Sequence, residues 1–178
     1  MTARQETAAK VGLVVFVSLF VLFFLQRFGA NRVLALGDEV PGFNLRGQDD
    51  QIVSLADFED QIVVLNFWAT WCAPCIEEMP SLNRFEERYA GKGVRVVAIS
   101  VDEDPDAYRE FLAKNEIKFL TLRDPARRIS LEYGTFKLPE SYVINRERRL
   151  LRKVIGAADW TSPEMLSYFD GLLAAGGS

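Results

Sequence analysis

The chain has 178 residues, 49% of them hydrophobic and 26% charged, with a formal net charge of −4. That length holds one globular domain and a short appendage, and the mild acidity gives no reason to expect a nucleic-acid partner. There is no histidine and there are only two cysteines, which removes Ser-His and Cys-His catalysis, most transition-metal sites and any disulfide framework.

The first element in chain order is an uncharged apolar run over residues 11–25, flanked by Lys10 and Arg27. Its strict core is shorter than the roughly 20 residues a spanning helix prefers. Ala8, Ala9, a snorkelling Lys10 and residues 26–28 can extend it. Three readings compete: a cleaved signal peptide, a signal anchor and a buried helix. The run is apolar all round, which speaks against the buried helix, and Val33-Leu34-Ala35 is a poor and late cleavage site. The expectation is a single-pass anchor over residues 11–28 in the lipid bilayer. Residues 1–10 would then lie on the cytoplasmic side, residues 29–36 form a linker, and residues 37–178 form the exported domain.

From residue 37 onward strands and helices alternate. Residues 37–45 read as an extended lead-in turned by Pro41 and Gly42, and residues 48–51 as a polar turn before a strand at 52–55, a short hairpin. Residues 62–68 and 94–101 are continuous apolar, β-branched runs, the pattern of parallel strands buried on both faces. Between them residues 74–89 are helical, with Pro80 as an internal kink. Asp104-Pro105-Asp106 starts a helix that runs through Phe111 and Leu112. Residues 119–122 form a short strand, and Asp124-Pro125 opens a helix ending near Tyr133-Gly134. Residues 141–144 and 150–155 are strands joined by a charged turn. The closing helix starts at residues 161–164, with either a capping box or a Ser cap followed by Pro163. Its apolar stripe is Leu166, Phe169, Leu172 and Leu173. The order predicts an α/β domain with a central mixed sheet flanked by helices.

Both cysteines fall in Trp71-Cys72-Ala73-Pro74-Cys75, immediately after the first buried strand. A strand that delivers C-x-x-C to a helix start is the layout of a dithiol redox site. The unpaired N–H groups and partial positive charge of the helix N-terminus favour the Cys72 thiolate, and Cys75 can close a disulfide to release whatever Cys72 has attacked. A zinc site would need further ligands that the chain lacks. A haem attachment would need histidine where Ile76 stands, and a purely structural disulfide would close too short a loop to stabilise much.

The segment 65–75, Leu-Asn-Phe-Trp-Ala-Thr-Trp-Cys-Ala-Pro-Cys, with Glu78 and Pro80 after it and Leu138-Pro139-Glu140-Ser141 further on, resembles the thioredoxin superfamily. More narrowly it is similar to the membrane-anchored TlpA/ResA/CcmG-like branch, over residues 37–175. The resemblance implies a thioredoxin-like fold with an N-terminal hairpin extension and a central insertion between Asp102 and Asp124, preceded by one transmembrane helix. It implies Cys72 as attacking thiol, Cys75 as resolving thiol and a cis Pro139 against the disulfide, where the residues alone allow an ordinary strand-start proline. Thioredoxin itself has a buried Asp at the position of Asn66. The branch has Asn there and Glu at the position of Glu78, one helical turn beyond Cys75. Glu78 is then a proton acceptor for the resolving thiol, with a solvated helix carboxylate as the alternative.

The apolar rim expected to bind partners is Trp71, Ala73, Pro74, Leu138 and Pro139, with Glu140 beside it; Trp68 belongs either to it or to the core. Arg146, Arg148, Arg149, Arg152 and Lys153 form a basic hairpin that either solvates itself or faces a client or lipid. The uncharged Ala73-Pro74 spacer and the acidic Glu77 and Glu78 favour a low potential, toward the thioredoxin value of about −270 mV. The expected function is a protein-disulfide reductase on the extracytoplasmic side of the bacterial cytoplasmic membrane. It needs no cofactor beyond its redox-active disulfide, and no dinucleotide fingerprint is present, so a membrane thiol-reductant transporter must recharge it. The resemblance points to apocytochrome c as client, with copper-site assembly or two-Cys Cu(I) carriage as alternatives. A peroxiredoxin-like peroxidase is disfavoured, because its P-x-x-x-T/S-x-x-C pattern would need Pro and Thr or Ser where Leu65 and Ala69 stand.

Overall fold

A computed structural model describes residues 12–23, 34–47 and 51–176. It divides into two units at Val33 and Leu34. In the first unit residues 12–23 are helical with exposed side chains. Among the described residues no helix is long and apolar enough to cross a membrane; residue 11 and residues 24–28 of the expected span lie outside them, as do residues 1–10 and 48–50.

The second unit is built on a five-stranded mixed sheet in the order β5-β4-β3-β6-β7. It comprises β3 (Ile62–Trp68), β4 (Val94–Ser100), β5 (Leu120–Arg123), β6 (Glu140–Ile144) and β7 (Leu150–Ile155). Strands β3, β4 and β5 run parallel, while β6 and β7 are antiparallel to their neighbours. The small hairpin β1 (Asn44–Arg46) and β2 (Ile52–Ser54) stands apart, as the lead-in pattern predicts. All seven residues of β3 are buried, which is what its unbroken apolar run requires of a strand covered on both sides.

The period of two sorts the strand residues onto two cores. On one face Ile62, Val64 and Trp68 of β3 and Val94, Val96 and Ala98 of β4 pack with Leu82, Phe85 and Tyr89 of α1 (Ala73–Tyr89). Tyr108 and Phe111 of α2 (Pro105–Lys114) and Met165 and Phe169 of α4 (Pro163–Ala174) complete that cluster. On the other face Val63, Leu65, Phe67, Val97 and Ile99 pack with Tyr142, with Ile129 of α3 (Arg128–Glu132), with Tyr133 and with the lead-in residues Val40 and Phe43. Burying each such large apolar side chain stabilises the fold by about 1.5–3 kcal/mol before entropy is counted.

The lead-in is tied to the start of β7: Gly37 N donates to Leu150 O at 2.8 Å, Leu150 N to Asp38 O at 2.9 Å and Val40 N to Arg148 O at 2.9 Å. Two helix starts differ from or resolve the expectation. Asp124 does not begin a helix; its carboxylate caps the Ile129 N–H at 2.7 Å while Arg127 takes a left-handed φ of 55°, so α3 starts at Arg128. At α4 the Ser162 hydroxyl accepts from Met165 N with Pro163 in the first turn, the Ser cap of the two alternatives.

Candidate active site

Cys72 is the N-cap of α1, in extended conformation, and its Sγ accepts a hydrogen bond from Cys75 N at 3.3 Å. The two cysteines are joined in a disulfide. Cys72 is 6% exposed and Cys75 1%, so the first cysteine is the more accessible of the pair. Sequence spacing had put both at a helix start, and Ala73-Pro74 makes that start possible: Pro in the first turn lacks only an N–H that no helix bond would use. The loop that presents Cys72 is pinned by a carboxylate that sequence reasoning missed. Buried Asp102 accepts from Thr70 N at 3.0 Å, Thr70 Oγ1 at 2.7 Å and Ser100 Oγ at 2.6 Å. A signal existed, since Thr70 and Asp102 each follow by two the paired strand ends Trp68 and Ser100.

Glu78 is 4% exposed, which rules out the solvated-carboxylate alternative. Its Oε1 accepts from Asn66 Nδ2 at 2.8 Å, and its Oε2 from Ala158 N at 3.0 Å and Trp160 Nε1 at 3.3 Å. Burial pushes the carboxyl above the ordinary glutamate range, against the downward pull of the Ala158 N–H, the Asn66 amide and the Trp160 indole. Asn66 also donates to Ser141 Oγ at 2.9 Å, its direct cross-strand neighbour. Glu78 further borders a shallow cleft of about 300 Å³ with Glu77, Arg84 and Asp159.

The Leu138–Pro139 peptide is cis. Glu140, next in the chain, is paired with Phe67 near the C-terminal end of β3, the end from which the chain runs on to Cys72. Leu138 packs against the cluster that holds both cysteines. On the expected rim Trp71 is 67% exposed, Ala73 and Pro74 are exposed and Leu138 is half-buried; Trp68 is wholly core.

Glu140 requires a correction. Its side chain is 4% exposed, accepts from the Tyr142 hydroxyl at 3.0 Å and pairs with Lys153 at 3.2 Å, so it braces the sheet behind Pro139 rather than facing a partner. The sequence held a sign of this, because Glu140 and Tyr142 lie on one face of β6 and Tyr142 is paired with Lys153 on β7. Phe136, three residues before Pro139, is 78% exposed.

A model of the AhpC/TSA family matches residues 36–153. The chain belongs to that family. Within the thioredoxin-like fold it shares, the ResA thiol-disulfide oxidoreductase of Bacillus cereus is 33% identical over 129 residues, 72% of this chain and 75% of that protein. ResA of Bacillus subtilis is 30% identical over 129 residues, 72% of each chain. A crystal structure assigned as the thiol:disulfide interchange protein DsbE of Chlorobium tepidum matches with a TM-score of 0.71 at 30% identity, over 82% of this chain and 99% of that one.

With the Cys72–Cys75 pair in place, this AhpC/TSA-family chain is a thiol-disulfide oxidoreductase. The cations of its hairpin are spent internally. Arg146 donates to Gly176 O, Arg149 to Gly37 O at 2.9 Å, Arg148 pairs with Glu39 at 3.6 Å, and Arg152 pairs with Glu164 at 3.0 Å and stacks on Tyr168. Through these bonds the hairpin fastens the lead-in and α4 to the sheet.

Proposed function

We propose that the protein works as a reductant of disulfides in exported clients, apocytochrome c foremost. Residues 11–28 would anchor it in the bacterial cytoplasmic membrane, and a membrane thiol transporter would keep it charged with electrons. In the reduced form the Cys72 thiolate attacks one sulfur of the client disulfide and the other client sulfur leaves as thiolate. Glu78 takes the proton of the Cys75 thiol, whose thiolate then attacks Cys72 Sγ and expels the second client sulfur. The client gains two electrons and the protein ends as the Cys72–Cys75 disulfide. Greater exposure of Cys72 than of Cys75 supports that order of attack.

The observation that carries the reading is the neighbourhood of the pair. The spacer Ala73-Pro74 offers no charge or side-chain donor that would hold a thiolate, and dithiols whose reduced form lacks such stabilisation are reducing. The test is the potential of the Cys72–Cys75 pair, equilibrated against glutathione or dithiothreitol. A value of about −270 mV, like that of thioredoxin, is expected. A value near about −120 mV, as for a strong oxidant, would reverse the direction of electron flow. With Cys75→Ser, a disulfide-bonded apocytochrome c is expected to accumulate as a mixed disulfide on Cys72; failure to trap it would remove that client.

A further inference from the structure

All three groups that hold Glu78 are N–H donors: the Asn66 amide, the Ala158 backbone and the Trp160 indole. A carboxylate uses them all, and a proton placed on Oε2, whose lone pairs already accept from both Ala158 N and Trp160 Nε1, displaces one of those two bonds. The backbone N–H of Ala158 is fixed by the chain, and Asn66 is fixed by its second bond to Ser141. The indole bond, at 3.3 Å, is the longest of the three. We propose that Trp160 is a positioning residue for proton transfer at Glu78, its indole N–H being the bond that yields when Glu78 takes the Cys75 proton.

The inference rests on Glu78 being the proton acceptor. The transfer moves one proton from sulfur to carboxylate and no electrons; the proton later leaves to water in the cleft that Glu78 borders. Other titratable groups facing Glu78 there are Glu77 and Arg84 of α1 and Asp159 ahead of α4, while Asn66 and Ser141, on the β3 and β6 side, are uncharged. Trp160 is wholly buried against Phe85 and Phe169, at ring-centroid distances of 5.6 and 6.5 Å. Phenylalanine there keeps an aromatic contact and removes the donor together with part of the indole's volume. Losing a donor to the charged form raises proton affinity.

The test follows the indole N–H resonances of the full reduced chain against pH. Buried Trp68, whose Nε1 has no partner, and exposed Trp71 serve as controls. In parallel, release of the second thionitrobenzoate from a Cys72 mixed disulfide reports the attack of Cys75. The Trp160 resonance is expected to titrate with the midpoint of that release and to be flat in Glu78→Gln. Trp160→Phe is expected to raise the release midpoint by roughly one pH unit. A Trp160 resonance that titrates unchanged in Glu78→Gln overturns the proposal, whether or not Trp160→Phe folds. So does a midpoint unmoved in Trp160→Phe while Glu78→Gln abolishes it. A midpoint retained in Glu78→Gln instead removes the acceptor role itself.

Discussion

Burial pushes the Glu78 carboxyl upward more strongly than its three N–H partners pull it down, so its ionised form costs more in the folded domain than in the unfolded chain. The stability linked to this group is full below the ordinary value of 4.5 and is lost as pH rises through the raised folded value. Glu78→Gln removes that dependence. The difference in urea midpoint between variant and wild type is therefore expected to move in the variant's favour from about pH 4 to about pH 8; a difference that moves the other way would show the donors outweighing burial. The same substitution is expected to slow the attack of Cys75 by about 10²-fold, the low end for loss of a general base, with the Cys72 attack unchanged in stopped-flow exchange. Of the candidate site, Cys72 and Cys75 were read from one short local pattern, and Glu78 and Pro139 were proposed from the family resemblance that surrounds it. Trp160 was legible from neither, since it lies 82 residues from Glu78 and no periodicity links the two. Asp102 was missed for a related reason: it acts on the Thr70 loop from the end of the adjoining strand.

Elements were easier to read than contacts, because burial imposes a period on the strands and caps mark the helix starts. The seven residues of β3 and the Asp104 start of α2 appear where their patterns put them. Asp124-Pro125 misled because Asp-Pro fits a helix start as well as the turn it forms here, and only the reach of Asp124 to Ile129 N distinguishes the two. At α2 the Asp104 carboxylate accepts from Asp106 N at 2.8 Å and Ala107 N at 3.3 Å. Asp104→Ala is expected to cost about 1 kcal/mol in urea unfolding. Disulfide exchange should stay at its wild-type rate, since this cap lies outside the Cys72–Glu78 machinery; a drop in rate would tie α2 to the chemistry.

At the scale of the molecule, the thioredoxin-like sheet places one chemistry at one end of the strands and one fastening at the other. Residues Leu34–Ser178 form a compact unit, so a chain starting at Leu34 is expected to fold and to show the same Cys72–Cys75 potential as the full chain, within about 10 mV, or about 0.5 kcal/mol. A larger gap would mean that the upstream residues reach the site. The bonds of Gly37, Asp38 and Val40 to the start of β7 set where the polypeptide enters this unit. Leu150 is paired with Ile144, and Ile144 is next to Val63, so that entrance sits at the beginning of β3, whereas Cys72 follows its close. Seven strand residues at about 3.3 Å each separate the two by roughly 20 Å. Within this unit the entrance and the sulfurs are thus opposite poles, and the face that Cys72 opens onto is clear of the incoming chain.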